Sequence, residues 1–395
     1  MLWGCVSKNS VAQQITPLPL SYDIMLETGV RFPVRVTVLR YTNKSPCARL
    51  LTPHWPTPVI QVTFIAEGLE QRSLKTDEER GEKRKKTVEV VRSPLLRFMK
   101  RHLSVTLLCE QTWCELKLQY GILPPQVRKT DKQRVEIQTG ASIHLARELE
   151  VHAVVPINTH SREDSFAIRL LNVLLMMPTL ESGQCVREFP VFGVLEGVCV
   201  MGVIDELSYN QKGELVLNEL KTRRQDSLPG DAQAVGHCFQ VGLYKLLFDA
   251  LIKSEVRREH IVDHFKLRAS PALGAEVQAH AARIGIQVAT FGELVDTFFM
   301  VLSCSDVPCI DLLQVEYRHQ DSSSLIGTRV VPFDEAQLRA DLRGYLAYWT
   351  GQREPRGVDI EEAWKCRMCP YQEICDWRKN RSQAPETLHT NKRIK

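Results

Sequence analysis

Asp205, Glu219 and Lys221 are the residues whose types and spacing best suit chemistry in this chain. They lie in two short apolar runs, Gly202-Val203-Ile204-Asp205 and Glu219-Leu220-Lys221. Residues two apart on a strand point to the same face, so Glu219 and Lys221 share one. Pairing the two runs as a hairpin brings the Asp205 carboxylate, at the end of its strand, towards Glu219. Two converging carboxylates repel unless a divalent cation lies between them, and hard oxygen ligands favour magnesium or manganese. Lys221 beside such an ion could orient or polarise a water and offset charge on a pentavalent phosphate. An isolated Glu-x-Lys is more often a solvated ion pair, so the surroundings decide.

Three surroundings favour chemistry. His144, in Gly140-Ala141-Ser142-Ile143-His144, falls on the early turns of a helix and offers an imidazole ligand. Gln240 and Tyr244 are four apart on a later helix and so share a face. All of these groups follow one another in compact order. Glu188, in Arg187-Glu188-Phe189-Pro190, is a further acidic candidate with no role evident from spacing.

A second constellation is made of sulfur. Cys366, Cys369 and Cys375 form a C-x2-C-x5-C cluster, and Cys114 or Cys109 far upstream could supply a fourth thiolate. C-x2-C is an ordinary zinc signature. The wide gap to the fourth ligand and the lack of a second C-x2-C pair suit a 4Fe–4S cluster better. Such a tie closes a very long loop and fastens the C-terminal region to the helix ahead of the core.

The elements that must position these groups are legible in the periodicity. Leu95–Tyr120 reads as helix-rich, and Thr139–Val151 as a helix with Ile143, Leu145, Ala146 and Leu149 at helical spacing. Phe166–Met177 reads as an apolar helix stopped by Pro178. Val198–Leu207 and Leu215–Leu220 read as a β-hairpin across the turn Ser208–Gly213. Ala232–Ile252 and Asp334–Trp349 read as amphipathic helices, with mixed α/β sequence between them to about Val331. Val34–Tyr41 and Val59–Ile65 are candidate strands in an otherwise irregular start.

Composition bounds the function classes. The chain has 395 residues, 44% hydrophobic and 25% charged, with a formal net charge of +4. That is ordinary for a globular chain and too weakly basic by itself to imply nucleic acid. Twelve cysteines without a convincing secretory signal argue for a reducing compartment, with thiolates serving metals. Cys185, Cys199, Cys238, Cys304 and Cys309 sit in apolar surroundings and read as small core residues. No run of 18 apolar residues is present, and no membrane association is expected. The basic run Lys83-Arg84-Lys85-Lys86 reads as a solvated linker that could also serve nuclear import.

The ordered set G-x3-H at Gly140–His144, G-x-x-D at Gly202–Asp205, E-x-K at Glu219–Lys221 and Q-x3-Y at Gln240–Tyr244 resembles the RecB branch of the PD-(D/E)XK nucleases. The resemblance implies an α/β restriction-endonuclease-like core, a mixed central sheet flanked by helices. It implies His144, Asp205 and Glu219 as metal ligands, Lys221 as the catalytic lysine, and Gln240 with Tyr244 near the substrate backbone. Ile204 stands where the superfamily's proline would be. One cysteine before the core and three after it is the recurrent iron–sulfur plan of such nucleases, which implies Cys114 rather than Cys109 as the fourth ligand.

From Pro94 to Arg378 the chain is similar to the eukaryotic exonuclease V family, most specifically over Thr139–Glu150, Arg187–Gly193, Gly202–Leu207, Glu219–Arg224 and Arg353–Cys369. That similarity implies a monomeric, magnesium-dependent single-strand DNA exonuclease of genome maintenance. It would release short oligonucleotides from free ends and have replication protein A as a partner. A structure-specific endonuclease and a non-catalytic single-strand-binding module are the alternatives. The implied organisation is a divergent, partly disordered segment at 1–93, the nuclease domain with its iron–sulfur region at 94–378, and a basic tail at 379–395. Nuclear localisation is expected, with the cytosol second and mitochondria behind both. Arg223-Arg224 could contact backbone phosphates, and Tyr345, Tyr348, Trp349 and Trp364 could stack on bases, although core packing is the commoner fate of such aromatics.

Overall fold

The computed structural model describes residues 93–123, 131–151 and 157–382. The expected strands Val34–Tyr41 and Val59–Ile65 and the basic run at 83–86 lie outside these residues. Three short helices, α1 (Pro94–Arg97), α2 (Val105–Gln111) and α3 (Glu115–Ile122), open the described chain. Two long ones follow, α4 (Asp131–Val151) and α5 (Arg162–Glu181).

The hairpin is present and larger than expected. Strand β2 (Val186–Leu195) runs antiparallel to β3 (Val198–Tyr209), which runs antiparallel to β4 (Leu215–Arg223). The turn is tighter than Ser208–Gly213 because Asn210 organises it. Its side-chain oxygen accepts the Lys212 and Glu214 amides at 2.9 and 3.0 Å, and Gly213 supplies a φ of 79°. Asp205 therefore lies inside β3 rather than at its end.

Helix α6 (Asp231–Ile252) leads through α7 (Ala275–Arg283) and α8 (Phe291–Ser303) to β5 (Leu312–His319), which pairs parallel with β4. Strand β6 (Leu325–Val331) closes the far edge antiparallel to β5. The short strand β1 (Leu103–Ser104) pairs parallel with β3 through Leu103↔Val200 and Ser104↔Met201. The result is a six-stranded mixed sheet flanked by helices, an α/β fold as expected. Helix α9 (Glu335–Trp349) and a short 3-10 segment, Ile360–Met368, follow, and α10 (Asp376–Ser382) ends the described chain.

Helix α5 does not stop at Pro178. It continues to Glu181, with the Ser182 amide donating to the Pro178 carbonyl at 3.1 Å. In the last turn a proline forfeits one hydrogen bond, and the burial of Met176, Met177 and Leu180 favours continuation. Helix α5 packs on α8 and β2, while α6 packs on β2, β5 and α2. Their apolar faces and the sheet form one core, with Phe166, Phe189, Phe192, Phe248, Phe291 and Phe298 buried in it. By length and composition α6 could cross a membrane, yet most of its apolar window is buried inside the fold. Cys199 is buried as expected, Cys185, Cys238 and Cys309 are half-buried, and Cys304 is exposed because it caps the end of α8.

Candidate active site

Strands β3 and β4 pair only near their turn, from Tyr209↔Leu215 to Glu206↔Asn218. Beyond that point β4 continues beside β5, and the edge of β3 passes to β1 at Met201 and Val200. Gly202–Asp205 therefore has no ladder partner on that edge. Asp205 and Glu219 lie at the mouth of this fork, each one residue past the last pair. The Asp205 carboxylate spans the gap and accepts the Leu220 backbone amide at 2.8 Å.

Helix α6 closes the fork with Gln240 and Tyr244. The Gln240 oxygen accepts from Lys221 Nζ at 2.7 Å, and its amide nitrogen donates to Glu219 Oε1 at 2.7 Å and to Tyr244 OH at 3.0 Å. Lys221 Nζ also donates to Glu219 Oε1 at 2.8 Å. This network fixes the lysine from two sides. Gly202 permits the close approach of α6, because a Cβ there would fall 2.5 Å from the Tyr244 ring. Gly140 does the same for α4, where a Cβ would meet Thr222 Oγ1 at 3.0 Å.

Helix α4 brings His144 from the other side. Arg147 binds Glu206 and Glu316 at 3.1 and 3.0 Å, and Arg187 binds Glu206 and Glu150, both at 2.7 Å. These pairs span α4, β2, β3 and β5, and they hold His144 Nδ1 at 3.6 Å from Asp205 Oδ2. Glu188 completes the group: ligand atoms of His144, Glu188 and Asp205 all lie within 4.8 Å of one another. Glu188 holds a φ of 56° opposite Asp205, a left-handed conformation that costs a non-glycine residue about 1 kcal/mol or more.

The electrostatics ask for a cation. Glu219 is 2% exposed, and its Oε2 has no hydrogen-bond partner. Burial, then the Asp205 charge, push its carboxyl up to about 8, against the opposing pull of Lys221. Burial pulls the Lys221 ammonium down, but Glu219 and Asp205 outweigh it and leave it above its ordinary value. The orphaned Glu219 oxygen is influenced by Asp205, and Asp205 is the residue that gathers with His144 and Glu188, a donor set that fits a hard divalent ion.

The structure thus brings together His144, Asp205, Glu219, Lys221, Gln240 and Tyr244, and it adds Glu188 to them. It also adds Glu148, which is buried one turn beyond His144 and lines the same cavity. The i, i+4 spacing from His144 is the sequence signal that points to it. Arg224 pairs with Glu136 at 2.7 Å, while Arg223 keeps a buried Nε with no partner. Among the aromatics, Tyr348 and Trp349 are core, Tyr345 is half-buried against Phe239, and Trp364 is exposed.

Cys114, Cys366, Cys369 and Cys375 line a second cavity with Tyr120, Tyr371 and Trp377. Cys109 is elsewhere, deep beside Lys221 and Glu219, where burial raises its thiol. Cys114 occupies the N-cap position of α3, the Leu116 amide donates to the Arg356 carbonyl at 3.3 Å, and burial raises the Cys114 thiol above its ordinary value. Four thiols gathered in this way repel as thiolates and fit a metal centre. The two ends that meet here are joined separately by a buried polar network. Arg353 Nη1 donates to Glu115 Oε2 at 2.6 Å, Gln111 bonds Glu115 at 2.8 Å, and Trp349 Nε1 donates to Gln111 at 2.8 Å.

Comparison with known proteins fits this geometry. The family model described as Exonuclease V, a 5' deoxyribonuclease, matches residues 93–216 and 290–378. The chain is 63% identical over 315 residues to Exonuclease V of Danio rerio, covering 80% of each protein. It is 28% identical over 65 residues to mitochondrial Exonuclease V of Candida albicans (strain WO-1), covering 16% of this chain and 10% of that one. A crystal structure of SSO0001 aligns over 72% of this chain and 92% of that one at 14% identity, with a TM-score of 0.29, too loose a superposition to bear on the fold. By the matched model and the Danio rerio relative, this chain belongs to the Exonuclease V family.

Proposed function

We propose that the chain is a divalent-metal-dependent exonuclease acting on single-stranded DNA from its 5' end, with a PD-(D/E)XK core. The observation that carries the reading is the buried, unpartnered Glu219 Oε2 at the strand fork, beside Asp205 and within the Lys221–Gln240 network. Asp205, Glu219 and His144 would hold the ion, with Glu188 as a further ligand. When bound, magnesium or manganese would supply Lewis-acid polarisation of a phosphoryl oxygen and a readily deprotonated water. Gln240 holds Lys221 Nζ towards Glu219, so a rigid ammonium is available to orient a nucleophilic water and offset phosphate charge. Tyr244 keeps Gln240 in register. Arg223, two residues beyond Lys221, would contribute a guanidinium towards a backbone phosphate.

We propose a structural 4Fe–4S cluster on Cys114, Cys366, Cys369 and Cys375, whose side chains line one cavity. Hydrolysis consumes no electrons, so its role would be to hold shape. We further propose action as a monomer in nuclear genome maintenance, with replication protein A as a partner that delivers single strands.

The test is cleavage of end-labelled oligonucleotides by full-length protein. Single strands with a free 5' end should be degraded with magnesium and spared with chelator, and Asp205→Ala should lower the rate by at least about 10³-fold. Retained cleavage in that variant would sink the site assignment. Cleavage of substrates blocked at both ends would make the enzyme an endonuclease.

A further inference from the structure

We infer that Trp364, backed by Trp113, is a base-stacking platform that receives unpaired DNA bases next to the active site. The inference rests on the single-strand reading above. Trp364 is 44% exposed, whereas Tyr348 and Trp349 are core. Its ring meets Trp113 edge to face at 5.7 Å and 90°, a contact that backs the exposed indole. Lys117 Nζ lies 5.9 Å from the Trp113 ring centre, and Lys117 and Arg367 are the exposed cations of the two segments, while Lys365, 4.8 Å from that ring, is buried and paired with Glu362 at 2.7 Å.

Position ties this surface to the catalytic fork. Thr112, next to Trp113, lies against Gly236 of α6, where a Cβ would meet Thr112 Oγ1 at 3.0 Å. Gly236 is one helical turn, about 6 Å, before Gln240 on the same face of α6. Trp113 therefore follows a residue that packs one turn from Gln240, the partner of Lys221. An open aromatic face with flanking cations matches an unpaired base and its phosphate, since stacking needs only a free π-face and the cations take the backbone. A base inside a duplex offers no such face. The platform would therefore select single strands, a preference that no residue of the fork itself explains.

The test uses full-length protein carrying Asp205→Ala, so that DNA is bound and not cut, and fluorescence anisotropy with labelled oligo(dT). Trp364→Ala should weaken binding by about tenfold, while Trp364→Phe should stay within about threefold. An abasic site walked along the oligonucleotide should weaken the parent at one position and leave Trp364→Ala indifferent there. Equal affinities of parent and Trp364→Ala, or a loss in Trp364→Ala that every abasic oligonucleotide repeats, would overturn the platform. A parent that binds no single strand would overturn the proposed substrate and the platform with it. Should Trp364→Ala not fold, the abasic walk is read on Trp364→Leu against Trp364→Phe, with the same outcomes.

Discussion

Glu188 shows how much the site depends on single residues held against their own preference. Its backbone is in the left-handed region, and its carboxylate joins Asp205 and His144 within 4.8 Å. Without a cation this is a cost, because buried like charges repel. With one it becomes affinity. Glu188→Gln removes the charge and keeps the shape, so the metal-free protein should melt about 2–4 °C higher than wild type. The further rise in melting temperature on adding manganese should shrink, with metal affinity lower by about 10- to 100-fold. Paired thermal scans with and without manganese check both signs, and an unchanged manganese shift would remove Glu188 from the ligand set. In the sequence, the acid was visible and its role was not. Glu219 and Lys221 declare themselves by two-residue spacing on one strand and Asp205 by its place in the neighbouring apolar run, whereas Glu188 matters through a φ angle and a cross-strand register that no spacing encodes. Glu148 was open to inference from its distance to His144 and Cys109 was not, since nothing local says that α2 runs beside Lys221.

At the scale of elements, the periodic segments were legible and their ends were not. Asp334 and Ser161 cap α9 and α5 through their side chains, and a helix start at Asp334 follows from its type. The run of α5 through Pro178 is decided by core burial that lies outside the helix itself. The tie between α3 and the segment after α9 is tertiary in the same sense. Burial raises the Glu115 carboxyl, but its bonds to Arg353, Gln111 and the Arg356 amide outweigh this and leave it below the ordinary value. Its folded-state pKa is therefore depressed. The associated stability is fully present above the unfolded value, near about 4.3, and is lost as pH falls through the lower folded value. Glu115→Gln should cost about 3 kcal/mol at pH 7, since it leaves Arg353 without its counter-charge. It should also flatten the acid limb of the stability–pH curve below about pH 4.5. Urea unfolding across pH 3–7 checks this, and parallel acid limbs in the two proteins would rule the clamp out as a source of acid sensitivity.

At the scale of the whole molecule, the cysteine cavity and the Glu115–Arg353 clamp join the same two ends of the chain. The cysteine spacing suggests that a cluster closes the entire loop from Cys114 to Cys366 and underwrites the fold. The structure gives it a smaller task. With Trp349 buried and Arg353 bound to Glu115, the chain has already returned to α3, and a cluster bound by the four cysteines would close only the stretch from Arg353 onward. Loop-closure entropy grows slowly with length and cannot be lost twice for the same span. Loss of the cysteine-bound metal should therefore undock the region after Arg356 without unfolding the sheet. In Cys366→Ser or Cys369→Ser protein, the far-UV signal and a cooperative thermal transition should persist. Amide exchange should accelerate over about residues 357–382 and at the start of α3, and stay slow in β2–β5. Affinity for single strands should fall with the exchange protection, because Trp364 lies two residues from Cys366 and would lose its backing on Trp113. A cooperative collapse of the whole sheet in either variant would show instead that the cluster holds the core and that the clamp is secondary.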